Sequence, residues 1–312
     1  MTYGEVAEIL QEIGGERISK STVWRITQRW GQKIKAEVER SEEAANATPG
    51  RDEWIPGERV SHERMGVSMD GAMVYVLKEG WKEFKAGTVF QIEPAAVLDR
   101  QTLEEEQIGR AKAVSYVAHL GGPETFGKRL WAEAKRRGWS QAGDTQVVAD
   151  GASWIWNLVA EHFYDSRQVV DWYHATEHLG KAAEHLYGSA DSPAKQRWFN
   201  EYKQLLFQGQ TDWIVSQLRQ LAQNENNDGL RQEAGYFENH KRRMNYLDMR
   251  TEGWLIGSGT VESGAKQYKA RFTGPGMRWK RPCLERLLPV RSAILTGNFS
   301  WVWRSVYNSP AN

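Results

Sequence analysis

The stretch Val147–Trp156, VVADGASWIW, decides how the rest of the chain is read. Three apolar residues suited to a buried strand run into Asp150, Gly151 follows, and an apolar, helix-like segment comes next. Arg167–Trp172, RQVVDW, repeats the plan and is again followed by a helical pattern. Short Val-rich runs alternating with helices mark parallel strands buried on both faces. In open sheets of that kind ligands bind beyond the carboxyl ends of the strands, and Asp150 falls there. Gly151 permits a tight turn and close approach to the backbone. An Asp-Gly pair ahead of a helix is also ordinary turn chemistry, so a capping role for Asp150 stays open.

Upstream the period changes to two. MGVSMDGAMVYV (65–76) and KEFKAGTVFQIE (82–93) are β-rich runs separated by turn residues, the pattern of an antiparallel meander. A helix follows around ETFGKRLWAEAKRRG (124–138). Hairpins first and parallel strands after predict an α/β fold, a mixed sheet flanked by helices. Between about 175 and 250 only helical patterns occur, which predicts a helical insertion.

The first residues read as a helix-turn-helix over 1–36. Thr2–Glu5, TYGE, fits a capping box, and Val6, Ile9, Leu10 and Ile13 form a stripe predicted to be buried. Gly14 and Gly15 end that helix. Ser19 is the predicted cap of a second, whose Val23, Ile26 and Trp30 face inward. Lys20, Ser21, Thr22, Arg25 and Arg29 are left outside, where a recognition helix meets DNA. A helical hairpin used for packing or dimerisation is the other reading. Residues 37–58, with ERSEEAANATPG, read as a polar linker, and 59–312 as the main domain.

Three carboxylates stand where local structure does not call for them. Asp70 lies mid-strand, and burying an isolated carboxylate is costly unless it is paired, hydrogen-bonded or bound to a metal. Asp150 ends a strand. Glu262 lies in GSGTVESGAKQYKARF (257–272), where Val261, Ala265, Tyr268 and Phe272 make a buried stripe and Glu262, Lys266 and Lys269 share the next edge. That edge is either a surface pair at i,i+4 or a metal-binding acid beside phosphate-holding bases. Three separated acids suit a site for Mg²⁺ or Mn²⁺, two of which can stand about 3.5–4 Å apart in phosphodiester chemistry. In DWYHATEHL (171–179), Asp171 ends its strand with His174 one turn on, and His178 and His185 extend the edge. A structural hydrogen-bonded pair and a zinc site are both open there.

Composition narrows the class. The net charge of +1 hides a gradient, since residues 241–304 carry 13 Lys or Arg against 4 Asp or Glu. Such a basic third suits a polyanion or is simply a solvated face. The single cysteine, Cys283, excludes a disulfide framework and a thiolate zinc site, and no run approaches a membrane span. Cytoplasmic placement is predicted. The 15 tryptophans fit core, sugar platforms or base-stacking surfaces.

With these residues in hand, the chain resembles the DDE transposases of bacterial insertion sequences, which have an RNase H-like catalytic domain, and in particular the ISKra-type group. The resemblance rests on SMDGA, VVADGASWIW, DWYHATEHL, YFENHKRRMNY, GSGTVESGAKQYKARF and GMRW in that order, over about residues 59–300. It implies Asp70, Asp150 and Glu262 as catalytic, metal-holding acids with two Mg²⁺ (or Mn²⁺) ions. Asp171 and His174 would be an accessory pair opening the helical insertion. Lys266, Lys269 and Arg271 would hold phosphates. It further implies metal-dependent cleavage and strand transfer at element ends, DNA as partner at both element and target, action as a homo-oligomer on DNA, and a nucleoid location. Relatives often run longer at the amino end, so a truncated amino end is an expectation. The rival readings are a DNA-binding remnant without catalysis, and a glycoside hydrolase with paired carboxylates and tryptophan platforms.

Overall fold

The computed structural model describes residues 2–47, 64–98 and 105–307. Two helices open the chain, α1 (Tyr3–Gly14) and α2 (Lys20–Asn46), followed by the strands β1 (Arg64–Val76), β2 (Gly80–Leu98) and β3 (Glu105–His119). Next come α3 (Pro123–Arg136), β4 (Asp144–Ala149), α4 (Ser153–His162) and β5 (Arg167–Val170). The insertion is wholly helical: α5 (Trp172–Tyr187), α6 (Pro193–Phe207), α7 (Thr211–Asn224), α8 (Asp228–His240) and α9 (Tyr246–Thr251), with one 3-10 turn at Lys241–Arg243. Three helices close the chain, α10 (Gly259–Phe272), α11 (Arg281–Thr296) and α12 (Phe299–Tyr307).

The five strands form one sheet in the order β3-β2-β1-β4-β5. β1 to β3 are antiparallel neighbours, and β4 and β5 run parallel to β1. This is the mixed sheet flanked by helices that the RNase H-like resemblance predicts, with the meander first and the parallel strands after. Helices cover both faces. Met69, Val89, Val147 and Ala149 pack with Phe126, Leu130, Ile155 and Val159 of α3 and α4. Ala72, Val74, Phe84 and Ala86 pack with Val261, Ala265, Tyr268 and Phe272 of α10 and with Leu284 and Leu287 of α11. The predicted stripe of α10 is therefore its core face, as the recurrence of its apolar positions at helical spacing requires.

The amino end departs from expectation twice. The capping box at Thr2 and Glu5 and the Ser19 cap are present. However, the stripe on α1 buries nothing: Ile9 is 38%, Leu10 39% and Ile13 85% exposed. Ile26 is also exposed, whereas Val23 is buried. Periodicity reports that a helix has an apolar face and is silent about what, if anything, covers it.

The second departure concerns residues 37–58, read as a linker. α2 continues through them to Asn46, and residues 48–63 lie outside the described residues. Ile34, Glu42 and Ala45 continue its buried stripe, and the helix lies against α3, α11 and α12. Gly31 makes this possible, because a Cβ there would stand 2.9 Å from the Arg286 carbonyl oxygen. Lys35 pairs with Glu285 at 3.5 Å, and Arg129 of α3 with Glu39 at 2.9 Å. Glu39 and Glu42, which read as part of a polar linker, are thus both partners of Arg129 on α3.

Candidate metal centre

Strand register assembles the site. Met69 of β1 and Val170 of β5 both pair with Ala149 of β4, the last parallel pairs on either side. One residue beyond those pairs stand Asp70, Asp150 and Asp171. Three carboxylates therefore share one row, at the carboxyl ends of the parallel strands β4 and β5 and midway along β1, and open sheets place their ligands at such strand ends. Adjacent residues in register share a face. Asp70 shares its face with Ala72, which packs under α10, so the row faces the helix that carries Glu262.

Each acid is held differently. Asp150 is half-buried, and its Oδ1 accepts from the Ala152 amide at 2.8 Å. The cap of α4 is Ala152 itself, so Asp150 shapes the turn and does not cap the helix. Asp171 is fully buried and does cap its helix. Its Oδ1 accepts from the His174 amide at 2.9 Å and lies 3.1 Å from His174 Nδ1, while Oδ2 accepts from the Ser258 amide at 2.5 Å. Ser258 precedes α10 and its hydroxyl donates to Glu262 Oε1 at 3.3 Å. Asp171 thus ties the start of the insertion to the start of the helix that follows it, across a sequence separation of 87 residues. Glu262 Oε2 lies 3.9 Å from Lys266 Nζ.

The charges respond to this crowding. Burial raises the Asp70 carboxyl above its ordinary range, and the negative charge of Asp150 raises it further, against the pull of His174 and Lys269. Burial also raises Asp150, with Asp171 and Glu83 adding to the rise and His174 opposing it. Asp171 goes the other way: burial would raise it, but its hydrogen bonds from His174 and Ser258 outweigh burial and hold it low. The Asp171 bond lifts His174 to about 9, so at neutral pH an imidazolium sits among the acids.

That shift predicts a pH dependence. A group whose folded pKa is raised contributes stability that is complete below its unfolded value and lost as pH rises through the folded value. For His174 the window runs from 6.5 to about 9. Its side chain is 37% exposed, so solvent screening leaves the pair worth about 1 kcal/mol. Denaturant titrations in chelator should show wild-type stability falling by that amount across the window. A His174→Gln variant with the same slope would contradict the pairing.

The donor set fits a divalent cation. Ligand atoms of Asp171, His174 and Glu262 all lie within 4.8 Å of one another, and Asp150 and Asp70 follow Asp171 along its row, one and two strands away. Carboxylate oxygens suit Mg²⁺ or Mn²⁺, and burial, which raises the carboxyls of Asp70 and Asp150, disfavours their charged forms, which a cation would stabilise. Recruiting His174 as a ligand requires it to release its proton. The structure therefore joins the predicted pair Asp171 and His174 to Glu262 by ligand distances, and Asp70 to Asp150 by strand register.

Of the predicted phosphate-holding residues, Lys266 and Lys269 are exposed on the Glu262 edge. Arg271 lies on the opposite side of α10, its guanidinium 5.7 Å from the Tyr3 ring centroid and 5.5 Å from that of Trp279. Lys20, Ser21, Arg25 and Arg29 are exposed on α2, while Thr22 is half-buried, sharing the Ser19 cap and accepting from Arg25 at 3.1 Å.

No protein-family model matches the sequence, and no curated protein does. Among solved structures the chain is similar to the Drosophila P element transposase strand transfer complex, at 13% identity and a TM-score of 0.28, covering 96% of this chain and 77% of that one. Among the described residues no helix is long and apolar enough to cross a membrane.

Four residues of this region have no role assigned from the sequence. Glu233, Tyr236 and His240 lie on α8 at i, i+3 and i+7, a polar and aromatic face that turns inward. Ser258, in GSG, is the anchor between Asp171 and Glu262. The signal for the first three was a face of ionisable groups at helical spacing inside an otherwise ordinary helix.

Proposed function

We propose that the chain is a metal-dependent DNA strand transferase of the DDE transposase kind, with Asp70, Asp150 and Glu262 as the catalytic acids. The observation that carries this is the row of Asp70, Asp150 and Asp171 at the sheet's carboxyl end, facing the first turn of α10 and its Glu262. Mg²⁺ or Mn²⁺ held there, two ions in the full arrangement, would supply charge neutralisation at the phosphodiester. Asp171 and His174 fix the helix starts that bring Glu262 to the row. Lys266 and Lys269 continue from Glu262 along the exposed edge of α10 and hold the DNA backbone there as point charges. The exposed side chains Lys20, Ser21, Arg25 and Arg29 offer a second DNA-facing surface. The order of the sequence motifs supports the ISKra-type group, with DNA ends and target as substrates, assembly as a homo-oligomer on DNA, and a cytoplasmic, nucleoid-bound location.

The test is Mg²⁺-dependent strand cleavage and transfer on DNA taken from the ends flanking the coding region. Glu262→Gln should lower the rate by about 10²-fold or more, because one of the anionic oxygens that would hold the charge-neutralising metal is gone. Full activity in that variant would remove Glu262 from the mechanism. Tight DNA binding by the wild type with no cleavage in Mg²⁺ or Mn²⁺ would favour the remnant reading instead.

A further inference from the structure

The cavity that α2 leaves on the β3 edge of the sheet is lined by none of the residues of the metal centre. It measures about 240 Å³ and lies between α2, β3, α3, α11 and α12. One water needs only about 10–15 Å³ of such space, so the cavity has the scale of a one-ring organic molecule. Val38, Val117, Pro289, Ala293 and Val302 give it apolar walls. Trp301, 65% exposed, is part of its rim.

Its charges do not balance. Glu37, Glu42 and Glu133 stand against Arg129 and Arg136, three carboxylates to two guanidiniums, which leaves one negative charge over. Four of the five are engaged. Glu37 pairs with Arg40, Arg136 donates to Ser41 Oγ and to Glu133 at 2.5 Å each, and Arg129 Nη2 donates to Glu39 at 2.9 Å. The fifth is Glu42, which is 8% exposed. Its carboxyl makes no hydrogen bond among the described residues, and its ion pair with Arg129 Nε is an open one of 3.6 Å. That nitrogen is itself buried without a hydrogen-bond partner. Burial raises the Glu42 carboxyl to about 7, against the pull of both arginines. Buried carboxylates are ordinarily hydrogen-bonded as well as paired, so this one lacks a donor, and it lacks it on the wall of a cavity.

We propose that this cavity binds a small organic monocation, an amidinium or ammonium head on an aromatic or apolar body. The head donates to Glu42 and cancels the surplus charge, while the body lies between Val38 and the walls from α11 and α12, with Trp301 beside it. Apolar walls with one convergent polar group are the usual build of a small-molecule site. Because the lining comes from α2 on one side and from β3, α3 and α11 on the other, an occupant bridges the helix that bears Lys20, Ser21, Arg25 and Arg29 to the sheet. The inference goes beyond the proposed activity and does not depend on the metal reading.

Benzamidine is the probe, with benzamide as its neutral counterpart, and calorimetry on the full chain gives both affinities. Benzamidine should bind with a Kd of about 1 mM or tighter, and benzamide at least about tenfold more weakly. Glu42→Gln should weaken benzamidine at least about tenfold, because the buried charge that meets the head is gone. Val38→Phe keeps Glu42 and fills the space beside it, so it should abolish binding; if Glu42→Gln does not fold, this variant carries the test. No binding of benzamidine by the wild type overturns the proposal. Equal affinities for benzamidine and benzamide overturn it too, since the cavity would then read no charge. So does wild-type affinity in either variant, which would place the probe elsewhere on the chain.

Discussion

Asp150→Asn should lower Mg²⁺-dependent strand cleavage by about 10²- to 10³-fold while leaving the protein as stable as the wild type or more so. The two halves of this expectation have one cause. Asp150 is half-buried beside Asp70 and Asp171, and burial together with the charge of Asp171 already raises its carboxyl above the ordinary range. The folded protein therefore works against that charge, and replacing it with a neutral amide relieves repulsion worth up to about 1 kcal/mol. The local structure survives, because the Asn side-chain oxygen can accept from the Ala152 amide as Asp150 Oδ1 does at 2.8 Å. What the variant loses is the negative oxygen that a cation needs. Cleavage rates and urea midpoints on the same preparation decide the matter. Lost activity with lost stability would make Asp150 a structural residue, and retained activity would remove it from the site.

Asp171→Ala should do the reverse in its first effect, destabilising the fold by about 3 kcal/mol. Asp171 is 0% exposed and serves three donors at once: the His174 amide, the His174 ring and the Ser258 amide. Removing it uncaps α5, leaves the Ser258 amide buried without its acceptor, and strips His174 of the partner that holds its proton. Asp171→Asn should fall between, since its oxygen can still cap α5 while its amide group meets either the Ser258 N–H or the His174 ring unfavourably. Denaturant titration gives both numbers. An Asp171→Ala protein within about 0.5 kcal/mol of wild type would show that the hydrogen bonds at this position are incidental. Two carboxylates one strand apart, at the same level of one sheet, are thus expected to move stability in opposite directions.

Much of this was legible from the residues. VVAD and RQVVD followed by helical patterns predict parallel strands ending in acids, and the structure has them as β4 and β5. The stripe Val261, Ala265, Tyr268 and Phe272 is buried, so the placement of Glu262 on the adjacent edge followed from helix period alone. Other features were not legible. The apolar stripe of α1 is exposed, and the charged run after Ala36 is helix packed on α3 and α11. In both cases local pattern describes a face, and what lies opposite it is a long-range fact.

The sequence by itself determined the elements, their order, and the positions of four acids, Asp70 within a strand, Asp150 and Asp171 at strand ends and Glu262 in the first turn of a helix, because those follow from short-range periodicity and turn chemistry. Tertiary structure alone decided that Asp70, Asp150 and Asp171 share a row, since register depends on pairing between strands as far apart along the chain as Met69 and Ala149. It decided also that Asp171 reaches Ser258 and that Tyr236 and His240 close on Gly151. These contacts depend on the packing of the insertion against the sheet, which no local pattern encodes.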